Sequence, residues 1–383
     1  MITVKHSGWA DERFGAVADA FTRNFAEYGE LGAAVTVFVD GRKVVDLWGG
    51  GADERTGRPW TEDTVVPVFS CAKGIVGICA HLLAQEGHLE LDAPVSQYWP
   101  EFAQHGKETI TCRMVLGHRA GLPTLDPVLS FEEIAAWTPV IHAIEEQEPL
   151  WEPDTAYEYH GHVFGFLIGE VIRRITGLTP GAYFRRAVGE PLGLRAWIGL
   201  PAEEMDGRAR LVEAEGRPGM PGPEHLLTRI VTMNGALVFP GLDEPHGWND
   251  PALLGMELPG AGATASASGL AGLYAAAVTG IEGRERLLTP DTVADAVREV
   301  ASGKGWLGFD AGARWGSGFL LDSAFRPMLG QRSFGNDGAG GQFAFADDEF
   351  GVGFGYVANR MIGHGDARAN RLIEAVRKCL ADG

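Results

Sequence analysis

The amino-acid sequence predicts an α/β (α+β) protein, an antiparallel sheet flanked by helices with a mostly helical region set into the middle of the chain. Three observations lead there. Two β-rich runs, 34–39 and 42–48, are joined by Asp40-Gly41, the turn chemistry of an antiparallel hairpin. From Ser70 to about Leu200 helical periodicity dominates, with apolar residues recurring near every 3.6 positions. After Trp315 the period returns to two, in short runs that end at 352–357. The sheet is therefore expected from 1–60 and 305–383, and the helical region from 61–304, with a cleft at their boundary.

Phe14, Val17, Ala18, Phe21 and Phe25 form an i, i+3, i+4 stripe, so 11–28 should be an amphipathic helix covering the sheet. After the hairpin, the glycine-rich stretch 49–64 reads as a crossover. Residues 64–69 are too β-branched and proline-broken to be helical, so a buried helix opens at about Ser70 and carries Ile75, Val76, Ile78, Cys79, Leu82 and Leu83. The proline- and glycine-rich segment 201–259, including Pro218 and Pro223, reads as an irregular loop that walls a cleft. Residues 265–278 form a small-residue helix. In the last β run Val352, Phe354 and Tyr356 share one face, and Gly351, Gly353 and Gly355 the other. The glycine face admits a helix at close range, and the C-terminal stripe Leu372, Ile373, Val376 and Leu380 is expected to fill it.

Chemistry concentrates in Ser70-Cys71-Ala72-Lys73. Residues three apart on a helix share a face, so the Ser70 hydroxyl and the Lys73 amine can meet. Apolar surroundings strip the ammonium of solvation and lower its pKa, which leaves an amine able to take the serine proton. The N–H groups of a helix start suit an oxyanion at Ser70. Alone, a serine three residues before a lysine is more often a helix cap beside a solvated lysine. The competing G-x-S-x-G elbow is absent from the chain.

Further along, Tyr159 lies in a loop that opens a hydrophobic helix and can project into a cleft. His118 reads as a buried histidine that satisfies loop groups. His160-Gly161-His162 has ligand-like spacing but no carboxylate or thiol companion, so no metal and no cofactor are expected. Cys71, Cys79, Cys112 and Cys379 lack C-x-x-C spacing and read as free buried thiols. Trp137, Trp151, Trp248, Trp306 and Trp315 are candidates for an aromatic pocket, though large aromatics are usually core.

A chain of 383 residues, 45% hydrophobic, can bury one large core or two interleaved subdomains. Its net charge of −19 argues against nucleic-acid and anionic-membrane partners and leaves a homo-oligomer open. Met1 to His6 lead into polar residues rather than an apolar run, so no signal peptide and no membrane span are expected, and the compartment is read as cytoplasmic.

The order helix, hairpin, helical insert, strands and helix, with Ser70 and Lys73 opening the insert and Tyr159 in its middle, resembles the serine β-lactamase and penicillin-binding-protein fold. More narrowly it resembles the family VIII carboxylesterases, which are similar to class C β-lactamases. Ser70 and Lys73 match that family's S-x-x-K, Tyr159 its tyrosine motif, and the stretches 116–123 and 334–341 occupy two further family positions. The resemblance implies catalysis by Ser70, Lys73 and Tyr159, an oxyanion hole of the Ser70 and Ala339 backbone N–H groups, and substrate contacts from His160, Gly161, Asn336, Asp337 and Gly338. Two positions depart from the β-lactamase pattern. Gly161 stands where an asparagine contacts the substrate amide, and Asn336-Asp337-Gly338 replaces K-T-G. Without a cation at 336, an anionic acyl donor loses its partner. The implied activity is hydrolysis of small neutral, short-chain carboxylic esters through an acyl-enzyme. The alternatives are a transacylase, a β-lactamase or D-amino-acid peptidase, or a binding protein that does not turn over.

Overall fold

The structure is a computed structural model and describes residues 6–215, 219–239, 241–363 and 366–381. Met1 to Lys5 and Pro218, read above, lie outside them.

Strand β1 (Ser7–Ala10) precedes helix α1 (Gly15–Tyr28), which buries Val17, Phe21 and Phe25 as their spacing predicts. Strands β2 (Gly32–Val39) and β3 (Arg42–Asp53) form the hairpin. Asp40 and Gly41 take φ of 48° and 74°, the paired left-handed backbone of a type I′ turn. The expected crossover at 49–64 is instead a longer strand: β3 runs on to Asp53 and turns back as β4 (Arg58–Pro59). Gly50 permits this, since a Cβ there would lie 1.9 Å from the Leu31 carbonyl oxygen.

Strand β5 (Val66–Phe69) then feeds α2 (Ala72–Gln85). The insert continues through α3 (Cys112–Leu116), α4 (Phe131–Ala135), α5 (Thr138–Glu146), α6 (Val163–Thr176) and α7 (Pro180–Phe184). It goes on through β6 (Ala196–Ile198), β7 (Val212–Glu213), α8 (Leu226–Thr232), α9 (Pro251–Gly255), β8 (Ala263–Ala265), α10 (Ala267–Val278) and α11 (Pro290–Ala296). The chain closes with β9 (Ala301–Ser302), β10 (Arg314–Trp315), β11 (Leu320–Leu321), β12 (Ser333–Gly338), β13 (Gln342–Asp347), β14 (Val352–Ala358), β15 (Arg360–Met361) and α12 (Arg368–Ala381).

The large sheet has ten antiparallel strands in the order β1-β3-β2-β14-β13-β12-β11-β10-β9, with β4 beside β3. A second sheet of three strands, β5-β8-β6, stands at the nucleophile end. The two faces of the large sheet are covered by different helices, and here the structure corrects the sequence reading. Helix α10, not α12, lies on the glycine face of β14. A Cβ on Gly353 would stand 2.4 Å from both the Ala271 carbonyl oxygen and the Ala275 nitrogen, and one on Gly355 2.4 Å from the Ala267 oxygen. Helix α12 joins α1 on the opposite face, where Leu372, Ile373 and Val376 share a core with Val352, Phe354 and Tyr356. The amphipathic stripe of α12 needs large partners, whereas the small residues of α10 can approach a bare backbone. Spacing alone does not distinguish the two helices.

Candidate active site

Ser70 sits at the end of β5, in a turn that precedes α2 instead of within its first turn. The helix begins at Ala72, two residues later than expected. The cause is Phe69, whose φ of 47° puts a non-glycine residue in the left-handed region. Its ring is buried and packs 4.5 Å from that of Trp248. Such a backbone costs about 1–3 kcal/mol and persists only where packing fixes it. Short turn bonds then close the segment, with Lys73 N–H donating to the Ser70 carbonyl (3.0 Å) and Gly74 N–H to the Cys71 carbonyl (3.2 Å).

The spacing argument survives this shift. Ser70 Oγ lies 2.6 Å from Tyr159 Oη and 3.5 Å from Lys73 Nζ. The structure thus brings together the three residues predicted to act jointly. Lys73 is 1% exposed and donates to the Gly260 carbonyl at 2.7 Å. Its nitrogen stands 4.6 Å from the Tyr159 ring centroid and 5.6 Å from that of Phe164. Burial pushes the amine down to about 7, against the opposing pull of Asp337. Gly260 has no sequence signal of its own. It reaches Lys73 because Gly165 on α6 is bare, since a Cβ there would lie 2.0 Å from the Gly260 nitrogen.

The Tyr159 hydroxyl is held in the protonated form, its pKa raised by burial. Its loop is laced to residues 303–307: Tyr157 Oη donates to the Gly303 carbonyl (2.7 Å), Trp306 N–H to the Tyr157 carbonyl (2.7 Å), and Leu307 N–H to the Glu158 carboxylate (2.9 Å). Behind it, His118 packs edge-on against Trp315, ring centroids 4.5 Å apart, and Trp315 lies 5.8 Å from Tyr159. Burial pushes His118 well down, and His160 and His162 to about 4, so these rings are uncharged near neutrality. Near pH 7 the Lys73 amine is therefore the group in this site poised to exchange a proton.

Other expected site residues are placed differently. His160 is fully buried; its Nε2 accepts from Leu122 N–H (3.1 Å) and its Nδ1 pairs with the Glu158 carbonyl (2.7 Å). Both ring nitrogens are used structurally, so His160 has none left for a substrate. Gly161 is covered by α8, because a Cβ there would meet the Ile230 carbonyl oxygen at 2.5 Å. Asn336 is buried against the first turn of α2, near Gly74 and Tyr274, with no hydrogen-bond partner for Oδ1 among the described residues. Asp337, on the opposite face of β12, pairs with Arg326 (2.7 Å), which offsets the negative charge anticipated there. Gly338 has a backbone role: a Cβ would stand 2.1 Å from the Val68 carbonyl oxygen. This close approach brings the end of β12 against the strand that leads into Ser70.

All four cysteines are buried, and none of them forms a disulfide among the described residues. Burial holds the Cys71 thiol well above its ordinary pKa, which makes it a packing residue despite its place beside Ser70. Of the tryptophans, Trp248 and Trp315 pack at the site and Trp151 stacks on Trp306 at 5.2 Å, while Trp137 bonds Glu170 on α6. Among the described residues there is no group of three or more metal-ligating side chains, and no helix is long and apolar enough to cross a membrane.

The beta-lactamase family model matches residues 17–378. The chain is 31% identical over 376 residues to the esterase/beta-lactamase LipL of Mycobacterium tuberculosis, covering 93% of this chain and 83% of that one. Among solved structures it is similar to a family VIII carboxylesterase (34% identity, TM-score 0.88, 98% of this chain and 100% of that one). It is also similar to a penicillin-binding-protein homologue from Caulobacter crescentus (34% identity, TM-score 0.85, 98% of this chain and 100% of that one).

Proposed function

The chain belongs to the beta-lactamase family, and from that premise we propose that it is a serine carboxylesterase acting on small neutral, short-chain esters, with Ser70, Lys73 and Tyr159 as its catalytic residues. The observation that carries this reading is the convergence of the Ser70 hydroxyl, a buried amine with pKa about 7 and a protonated phenol.

Neutral Lys73 takes the Ser70 proton as Oγ adds to the ester carbonyl. The Ser70 and Ala339 backbone N–H groups hold the resulting oxyanion. Tyr159, protonated and 2.6 Å from Oγ, delivers a proton to the departing alcohol oxygen and is reprotonated from the Lys73 ammonium. The acyl-enzyme is then released by water, with Lys73 again as base. We place the cleft between the mostly helical region 61–304, whose end carries the edge strand β9 of the large sheet, and the sheet region 1–60 with 305–383.

Substrate charge follows from what surrounds Ser70. Asn336 brings no cation, and the Arg326 guanidinium is engaged by Asp337. An acyl donor bearing a carboxylate therefore has no free counter-charge from β12, which favours neutral esters over penicillin-like substrates. The lack of disulfides among the described cysteines fits a reducing compartment, the cytoplasm.

The test is Ser70→Ala assayed with p-nitrophenyl acetate and butyrate, with nitrocefin alongside. Ester turnover should vanish in the variant, and the wild type should cleave the esters faster than nitrocefin. Wild-type turnover in Ser70→Ala ends the proposal.

A further inference from the structure

In the mechanism proposed above the turn between β12 and β13 supplies the Ala339 N–H, yet it has almost no side chains with which to fix itself. Gly340 and Gly341 both adopt left-handed backbone, φ 82° and 100°. What holds the turn comes from behind. Arg368, at the start of α12, is completely buried, and its guanidinium donates to the Gly340 carbonyl (2.7 Å) and the Arg360 carbonyl (2.9 Å). The same guanidinium is clamped by two carboxylates, Glu30 Oε1 (2.6 Å) and Asp366 Oδ2 (2.7 Å). Tyr356 Oη in turn donates to the other oxygen of Glu30.

The fit allows little play. A Cβ on Gly341 would lie 2.2 Å from Asp366 Oδ2 and 2.7 Å from Arg368 Nη2, and one on Gly340 2.9 Å from Met361. From the other side Gly338 is pressed on the Val68 carbonyl, two residues before Ser70. The turn is thus gripped between the nucleophile's own strand and a buried guanidinium whose planar fork fixes direction as well as distance.

We infer that Arg368 is a positioning residue for the reaction: through the Gly340 carbonyl it sets the orientation of the turn that aims the Ala339 N–H at the developing oxyanion. This deepens the esterase reading and rests on it. A lysine in the same place keeps the charge but not the fork, so it cannot hold two carboxylates and two carbonyls together. A donor displaced by a fraction of an ångström loses most of its value in the transition state while ground-state binding is spared.

The experiment compares wild type with Arg368→Lys on p-nitrophenyl butyrate, and measures inhibition by phenylboronic acid, which adds to a serine oxygen as a tetrahedral anion. Expected are a fall in kcat of about 10–100-fold, somewhat less than loss of a whole oxyanion donor, a KM within about twofold, and a boronate Ki that rises in parallel with the loss of kcat. Arg368→Ala should regain part of its kcat with added guanidinium. If neither variant unfolds cooperatively, Glu30→Gln is read instead; it keeps the volume, loosens the clamp and should show the same pattern at smaller amplitude. A folded Arg368→Lys with unchanged kcat and boronate affinity overturns the inference, as does Glu30→Gln with both unchanged. A wild type that leaves the ester intact defeats the esterase reading itself, a separate result.

Discussion

Replacing Lys73 by methionine should remove activity and yet stabilise the protein at neutral pH. The amine, ordinarily at 10.5, is held at about 7 by burial. At about 1.4 kcal/mol per pH unit, forcing the proton onto it in the folded state costs about 5 kcal/mol well below pH 7, and still about 4 at pH 7. The unfolded chain binds that proton up to 10.5 and the folded chain only up to about 7. The penalty is therefore complete below pH 7 and fades as pH rises towards 10.5. Methionine fills the space without a charge but leaves the Gly260 carbonyl without its donor, a loss of about 1–3 kcal/mol that does not depend on pH. The balance at pH 7 is a gain of about 2 kcal/mol for Lys73→Met; near pH 9 the two terms cancel, and at pH 10 the variant is the less stable by about 1 kcal/mol. Unfolding in guanidinium chloride, followed by tryptophan fluorescence at pH 7 and pH 10, reads both signs. A variant that is weaker than wild type at pH 7, or a difference that ignores pH, refutes the argument that burial tunes this amine.

Tyr159→Phe keeps the ring against Trp315 and His118 and removes the hydroxyl 2.6 Å from Ser70 Oγ; kcat for p-nitrophenyl butyrate should fall about 10²–10⁴-fold with an unchanged unfolding midpoint. In the wild type kcat/KM should rise with pH through about 7 as Lys73 loses its proton. Asp337→Asn withdraws a charge that favours the ammonium, so that midpoint should move to lower pH, and freeing Arg326 should improve turnover of esters with an acidic acyl group. Gly353→Ala drives a Cβ to 2.4 Å from two backbone atoms of α10 and should cost about 3 kcal/mol or more in denaturant unfolding, by prying helix from sheet.

Much of the fold was legible because local chemistry and global architecture agree. The stripe of α1 and the Asp40-Gly41 turn are local signals whose structural outcome needs no knowledge of distant residues. The pairing of Ser70 with Lys73 was legible from spacing even though the helix starts two residues late, because the short turn bonds keep both side chains on one side. What spacing could not carry was partner choice. The glycine face of β14 announces close packing without saying by which helix, and His160 offers a polar ring whose nitrogens are claimed by Leu122 and Glu158 from elsewhere in the insert. The Gly260 carbonyl and Arg368 were invisible for the same reason: each acts through the backbone of a segment far away in sequence. Phe69 gave no warning at all, since a phenylalanine in left-handed backbone is a product of its packing against Trp248.

The bare α-carbon at position 161 also limits what laboratory evolution could make of this scaffold. An amide-reading side chain there has no space to grow into, because the Ile230 carbonyl already fills it. A saturation library at that codon alone would return mainly glycine among its folded members. Placing such a side chain at 161 would first require the backbone of α8 to be re-laid, so a helix far along the chain decides what this one position can become.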